Sequence, residues 1–203
     1  SAGAGASDLE DFMGEWNLEP SSSARIADAI ETCIAGYPPE AKTSTRERLQ
    51  ETNRLVSTLF LTSKDSGRKI LIGYDQAENG DVAPLDGSMV QVSGATGEGF
   101  EMRVTFAKDS LVEIFQADNG TRTNTYTLGP NGRTLNLHVV VESPYMPTSL
   151  SYTLAYSRES SAVLQPRRAH RHRFGETSAE LRSLDGRLLR NSFVRKLAVT
   201  VRP

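Results

Sequence analysis

Apolar and polar residues alternate at every second position over most of the chain from residue 56 to residue 157. Successive side chains of a β-strand point to opposite faces, so this period predicts strands with one apolar and one polar face. Within residues 99–107 the apolar positions run from Phe100 to Phe106, with polar positions between them. The predicted strands are residues 56–63, 68–75, 88–93, 99–107, 110–117, 121–128, 133–142 and 149–157, and a weaker one lies near 80–84.

Turn sequences separate these strands at short intervals. Asn119-Gly120 and Asn131-Gly132 supply the positive-φ positions that tight hairpins require. Short turns between consecutive strands are typical of an antiparallel meander. A meander whose strands each have one apolar face favours closure into a barrel, because a closed barrel exposes no sheet edge.

The first strand is predicted at residues 12–18, ahead of two helices. A short helical turn at residues 8–11 precedes it, because Ser7 and Glu10 have the spacing of a capping box. Residues 22–36 then carry Ile26, Ile30, Cys33 and Ile34 at helical spacing.

Pro38-Pro39 is expected to end that helix. Ser44 and Glu47 form a second capping box, which predicts a charged helix to about Val56. Its inner side would carry Leu49 and Val56, and by the same spacing Asn53.

The order of these elements resembles that of the calycins, the superfamily of lipocalins and fatty-acid-binding proteins. The resemblance rests on Phe12-x-Gly14-x-Trp16-x-Leu18 in the first strand and on Leu154-Ala155-Tyr156-Ser157-Arg158 in the last. Fatty-acid-binding proteins also place a helix-turn-helix directly after the first strand. The resemblance implies that Trp16 packs against Arg158 at the barrel floor, where a guanidinium stacks on the indole ring.

The expected fold class is therefore mainly β: an antiparallel up-and-down, calycin-like barrel with a helix-turn-helix insertion after the first strand. We expect this domain to cover residues 7–158, with a helical lid at about residues 22–56. Fatty-acid-binding proteins typically have an inward Arg two residues before the Tyr of the last strand, where this chain has Leu154. Their carboxylate clamp is thus incomplete here.

Charge is distributed unevenly between the two parts of the chain. Residues 158–203 contain 11 Lys and Arg against four Asp and Glu, a formal charge of +7, whereas the remainder carries −9. Residues 159–203 thus form a basic C-terminal extension, which either docks on the acidic barrel or binds an anionic partner. Within it, residues 181–188 fit a helix or a hairpin turning at Asp185-Gly186, followed by a strand near residues 193–201.

The interior of such a barrel is the expected binding site for a small molecule. One predicted strand is ambiguous: either Arg122, Asn124 and Tyr126 or the intervening threonines face inward. An inward Arg122 would anchor an anion, and an outward one would be a solvated hairpin residue. Core packing is the alternative role for the tyrosines of the last strand. The candidate ligand-binding residues are Met102, Phe106, Arg122, Asn124, Tyr126, Tyr152 and Tyr156.

No metal site or cofactor is expected from the sequence, and the catalytic residues of any enzymatic activity stay undetermined. His138 lies on the polar face of its strand, and His170 and His172 lie in an arginine-rich stretch that opposes metal binding. Cys33 is the single cysteine, so it forms no internal disulfide, and its place on the helix predicts a buried thiol. Asn119 also fits a glycosylation sequon, but the Asn-Gly turn already explains that sequence.

The leading functional hypothesis is that the barrel binds or carries a small hydrophobic molecule. The first alternative is a lipocalin-like enzyme, a cyclase or isomerase that acts on an apolar substrate through shape and a tyrosine donor. The second is an interaction module that uses the basic extension to bind an anionic partner. No apolar stretch is long enough to span a membrane, so a soluble protein is expected. The oligomeric state stays open, as does the choice between a cytoplasmic protein and one exported after signal removal.

Overall fold

The fold is described from a computed structural model, which covers residues 8–75, 80–93 and 99–158. These residues form three α-helices, one 3₁₀ turn (Pro20–Ser22) and ten β-strands. The helices are α1 (Leu9–Phe12), α2 (Arg25–Ile34) and α3 (Pro39–Thr52). The strands are β1 (Gly14–Leu18), β2 (Thr58–Lys64), β3 (Lys69–Tyr74), β4 (Asp81–Pro84), β5 (Val90–Ser93), β6 (Gly99–Ala107), β7 (Ser110–Ala117), β8 (Gly120–Leu128), β9 (Thr134–Glu142) and β10 (Leu150–Ser157).

The ten strands form one antiparallel sheet that curls into a nearly closed barrel. Its strand order is β4-β3-β2-β1-β10-β9-β8-β7-β6-β5, so β1 joins the last strand to the first hairpins. The seam lies between β4 and β5, where the connecting chain runs along β6. There Asp86 bridges to Thr105, and the Gly87 N–H donates to the Val104 carbonyl over 3.1 Å. The predicted up-and-down barrel with a helix pair after its first strand is confirmed.

The strand predictions agree with the structure to within two residues at each end. The weak segment near residue 80 is the short strand β4, which pairs with β3. The first strand begins at Gly14 rather than residue 12, because Phe12 belongs to α1 and Gly14 has a φ of +127°. Such a backbone angle is readily adopted only by glycine, so the helix-to-strand corner is placed there.

Two helix starts differ from the capping predictions. The long helix α3 begins at Pro39, six residues before the predicted start, because a proline is well tolerated in the first turn, where its missing N–H costs nothing. Ser44 lies inside α3, where its hydroxyl donates to the Ala41 carbonyl. At α1 the Asp8 N–H donates to Asp11 Oδ2 over 3.0 Å, so Asp11 supplies the carboxylate assigned to Glu10.

The core of the barrel consists of the inward side chains of every second strand residue, as the alternation predicts. The apolar face of α2 packs against β10, and Ile30, Cys33 and Ile34 on that face are buried. The Ser22 hydroxyl accepts from the Ala155 N–H over 2.9 Å and fixes the start of the helix pair α2–α3 on β10. In the part of the chain that the structure describes, no helix is long and apolar enough to cross a membrane. The predictions for the basic extension, residues 159–203, lie outside the described residues.

Candidate functional site

A file of polar side chains points into the barrel from β8. Arg122, Asn124 and Tyr126 are buried, whereas the threonines between them lie on the outer face and are half-buried. This orientation follows from the pairing of β8 with its neighbours: Asn124 lies opposite Glu113 on β7 and opposite Val139 on β9, both buried. The structure therefore selects the inward alternative for Arg122.

Arg122 lies at the helical end of the file and connects it to α3 and β10. Its Nε donates to Asn124 Oδ1 over 3.0 Å, its Nη1 to Asn53 Oδ1 over 3.1 Å, and its Nη2 to Tyr152 Oη over 3.2 Å. The Tyr152 hydroxyl in turn donates to Asn53 Oδ1 over 3.0 Å. Only 5% of Arg122 is exposed. A guanidinium remains charged in proteins, so the barrel interior holds a fixed positive charge at this point.

Glu113 lies on β7, directly opposite Asn124 of this file. Its Oε2 accepts hydrogen bonds from the Tyr74 hydroxyl (2.6 Å), the Tyr126 hydroxyl (2.9 Å) and Asn124 Nδ2 (2.8 Å). Its Oε1 has no hydrogen-bond partner among the described residues. Burial raises the pKa of Glu113, against the opposing effect of these hydrogen bonds, because a carboxylate loses its hydration in an interior that excludes water.

Burial likewise raises the pKa of Tyr74 and of Tyr126 well above 10, and the adjoining Glu113 adds to the rise. Both tyrosines are therefore hydrogen-bond donors at neutral pH. Together Arg122, Asn124, Tyr126, Tyr152, Asn53, Tyr74 and Glu113 form one connected set, which we call the interior network.

Sequence reasoning found most of this network but missed Glu113 and Tyr74. Glu113 is the charged member of the inward row of β7, between Leu111 and Phe115, which are both buried. A single charge in an apolar row was the available signal. Nothing local marks Tyr74, because its hydroxyl meets Glu113 from a strand that is not adjacent in the sheet.

The remaining predicted site residues lie outside the interior network. Met102 is buried in the same core. The Tyr156 hydroxyl donates to the Val56 carbonyl over 3.1 Å and so holds the chain that follows α3, outside the interior network. Phe106 lies toward the floor, where its ring meets that of Phe12 edge-on at 5.5 Å between centroids. His138 is exposed, with Nδ1 3.0 Å from the Thr153 hydroxyl.

The opposite end of the barrel is closed by Trp16 and Arg158. The guanidinium carbon of Arg158 lies 4.1 Å from the centroid of the indole ring. Arg158 Nη2 also donates to the Met13 carbonyl over 2.8 Å and to the Asp11 carbonyl, while the indole N–H donates to the Phe12 carbonyl over 2.9 Å. The fold is a nearly closed antiparallel barrel with a helix pair after its first strand and this floor at one end.

The chain is similar to known proteins in structure rather than in sequence. No protein-family model matches the sequence, and no curated protein matches it either. Among solved structures, the fluorescent protein UnaG shares 16% identity with this chain over 74% of it and 99% of UnaG, with a TM-score of 0.48. Fatty-acid-binding protein 1 of Echinococcus granulosus shares 14% identity over 75% of this chain and 100% of its own, with a TM-score of 0.46.

A secretory abundant heat soluble protein of Ramazzottius varieornatus shares 14% identity over 73% of this chain and 95% of its own, with a TM-score of 0.48.

The chemistry available inside the barrel is that of hydrogen bonding and charge attraction. Within the described residues, no group of three or more His, Cys, Asp or Glu is placed to hold a metal ion. Cys33 is buried, its Sγ lies 3.2 Å from the Thr148 carbonyl, and burial raises the pKa of its thiol, so the reactive thiolate is disfavoured. The interior network thus combines a fixed positive charge with tyrosine and amide donors.

Proposed function

We propose that this barrel binds a small, largely apolar molecule whose acidic or polar group lies against Arg122. The observation that carries this proposal is the interior network itself. Polar side chains from β3, β7, β8, β10 and the end of α3 converge inside a barrel whose other inward residues are apolar. Sites for small molecules have this composition: an apolar lining with a few convergent polar groups that fix the orientation of the ligand.

Two physical contributions to binding would act together. Burial of the apolar part of the ligand supplies the driving force, at about 25 cal/mol per Å² of apolar surface removed from water. A carboxylate or similar group at the Arg122 guanidinium adds a charge-assisted hydrogen bond, which is stronger than a neutral one. The first contribution sets the affinity for any apolar molecule, and the second selects those that carry an anionic group.

The helix pair takes part through Asn53. This residue follows α3, and its Oδ1 accepts from both Arg122 and Tyr152. Its Nδ2 donates back to the Leu49 carbonyl within α3 over 2.9 Å. A ligand group that binds at Arg122 would therefore lie close to the end of α3, in the segment that the sequence predicts to be a lid.

The test compares an anionic and a neutral dye. We would titrate the protein with 8-anilinonaphthalene sulfonate, which is apolar and anionic, and with Nile red, which is apolar and neutral. Arg122→Met removes the charge and retains much of the side-chain length. The expected result is saturable binding of both dyes by the unmodified protein, and a fall of about tenfold in the affinity ratio of anionic to neutral dye in Arg122→Met.

The matched control is Arg133→Met, at an exposed arginine, which should leave the ratio unchanged. Tyr152→Phe provides a second, milder variant that keeps the ring and removes one hydroxyl of the network. Absence of saturable binding of either dye by the unmodified protein would refute ligand binding. An unchanged ratio in a folded Arg122→Met protein would show that Arg122 is not the anchor.

A further inference from the structure

One polar atom in the described barrel interior is buried without a hydrogen-bond partner. Among the described residues, two buried side-chain nitrogen or oxygen atoms lack a hydrogen-bond partner: Glu113 Oε1 and Arg158 Nε. Arg158 belongs to the floor, where its guanidinium stacks on Trp16. Glu113 belongs to the interior network and has 0% exposure. A buried polar atom without a partner costs free energy, so it calls for an explanation in terms of function.

The other oxygen of the same carboxyl group is fully used. Oε2 accepts from Tyr74, Tyr126 and Asn124, which reach it from β3 and from two positions of β8. These three donors fix the orientation of the carboxyl group. Oε1 is consequently held in a defined place rather than free to turn toward a donor.

The chemical character of Oε1 follows from its surroundings. Desolvation raises the pKa of Glu113, against the opposing effect of its three hydrogen bonds. Because Oε2 already accepts those three bonds, a proton on this carboxyl group has only Oε1 to occupy. A protonated Oε1 is an O–H donor, and its partner is an uncharged oxygen acceptor. A cationic amine is disfavoured, because the Arg122 charge lies on the same file of β8 and would repel it.

We propose that Glu113 Oε1 is a second ligand contact, which donates a hydrogen bond to a keto or hydroxyl oxygen on the apolar ligand. The proposal rests on the ligand-binding function proposed above and narrows its ligand class. Asn124 links the two contacts, because its Oδ1 accepts from Arg122 Nε over 3.0 Å and its Nδ2 donates to Glu113 Oε2 over 2.8 Å. Two hydrogen bonds and one amide group span on the order of 7 Å, so the ligand is an apolar acid that carries a second oxygen about that far from its acidic group.

The experiment uses two fatty acids that differ in one oxygen. Palmitic acid is compared with a palmitic acid that bears a keto group about 7 Å from its carboxyl carbon. Their affinities are measured by displacement of 8-anilinonaphthalene sulfonate from the full chain, and the readout is the ratio of the two affinities. Three proteins are compared: the unmodified chain, Glu113→Gln and Glu113→Met.

The two variants separate a donor from a carboxylate. In Glu113→Gln the amide oxygen can accept from the three donors that hold Oε2, and the amide nitrogen remains a donor at the position of Oε1. In Glu113→Met both functions are lost. We expect the keto acid to bind about tenfold more tightly than palmitic acid in the unmodified chain and in Glu113→Gln, and this preference to disappear in Glu113→Met. Glu142→Met, at an exposed glutamate of β9, is the control that retains the preference.

Each other outcome overturns the proposal. Equal affinities in the unmodified chain would show that no acceptor is recognised. A preference that survives in Glu113→Met would place the contact elsewhere, and one that is lost in Glu113→Gln would mean that Glu113 acts as a carboxylate. If neither the dye nor palmitic acid binds, the proposed ligand-binding function is wrong. If palmitic acid binds and the keto acid binds no better, only the proposed contact at Glu113 is wrong. Should Glu113→Met not fold, loss of the preference in Glu113→Gln would still overturn the proposal.

Discussion

The Tyr74 hydroxyl donates to Glu113 Oε2 over 2.6 Å and so joins β3 to β7 through the interior of the barrel. These two strands share no backbone pairing, because they lie on either side of the β4–β5 seam. The side-chain bond therefore supports the barrel where the backbone ladder is interrupted. The same bond also holds the carboxyl group that we assign to ligand recognition.

Tyr74→Phe should weaken the fold without abolishing it. The change removes one donor from Glu113 Oε2 and leaves the Tyr126 and Asn124 bonds in place. We expect a loss of about 1 kcal/mol in the free energy of unfolding, measured by urea denaturation. Tyr145→Phe is the control, since Tyr145 is 50% exposed and should change stability by less than about 0.5 kcal/mol. Equal stability of the two variants would contradict a supporting role for the Tyr74 bond.

Glu113 should make stability fall as pH rises above about 4.5, its ordinary pKa. Its pKa is raised in the folded protein, so the folded state keeps a proton that the unfolded chain has lost. The contribution of Glu113 to the free energy of unfolding is fully present below the pKa of the unfolded chain. It declines as the pH rises toward the pKa of the folded protein, with a slope of at most about 1.4 kcal/mol per pH unit. Glu113→Gln has no such proton, so its stability should not decline for this reason.

The measurement is a set of urea denaturations of both proteins across that range. Asp81, whose pKa is also raised by burial, produces a decline of the same sign, but it is present in both proteins and cancels in the difference. Glu142→Gln, at an exposed carboxylate, serves as the control. Parallel stability curves for the unmodified protein and Glu113→Gln would mean that Glu113 titrates as an ordinary carboxyl group.

Arg158→Ala should destabilise the barrel floor. The change removes the guanidinium that lies over the Trp16 ring and the donor to the Met13 carbonyl. We expect a loss of about 2 kcal/mol in the free energy of unfolding. Arg158→Lys should recover only part of it, because an ammonium group stacks less well and lacks the planar fork of donors.

Trp16 is the only tryptophan of the chain, so its fluorescence reports on this end of the barrel. Its emission should shift to longer wavelength in folded Arg158→Ala as water reaches the indole. Arg133→Ala, at an exposed arginine, should change neither stability nor emission. Full recovery by lysine would indicate that charge alone matters at this position.

Asn53→Ala should loosen the attachment of α3 to the barrel. The variant loses the acceptor shared by Arg122 and Tyr152 and the donor to the Leu49 carbonyl. Hydrogen exchange should therefore become faster at the amides of the last turn of α3, with little change at the strands far from it. Gln50→Ala, on the exposed side of α3, provides the comparison. Unchanged exchange in Asn53→Ala would show that packing of Leu49 and Thr45 alone holds the helix.

Local patterns were sufficient for most of the secondary structure. Strand positions follow from the alternation within each strand and from the turn sequences on either side of it. An error in one predicted strand therefore does not shift the next. The predicted start of α3 was wrong because two competing helix-start signals lie close together. These are the capping box at Ser44 and the proline at Pro39. Such competition is settled by the packing of the whole helix pair on β10, which a short motif does not contain.

The sequence by itself determined the strand count, the antiparallel order, the helix pair after the first strand and the residues that meet at the Trp16–Arg158 floor, the last through resemblance. Only the tertiary structure decided that Arg122 faces inward, because both faces of β8 are polar and periodicity cannot choose between them. Only the tertiary structure revealed Glu113 and Tyr74 as partners, 39 residues apart on strands that do not pair. The physical reason is that alternation is a property of each strand alone, whereas a site inside a barrel is made by side chains that meet only when the sheet curls around them.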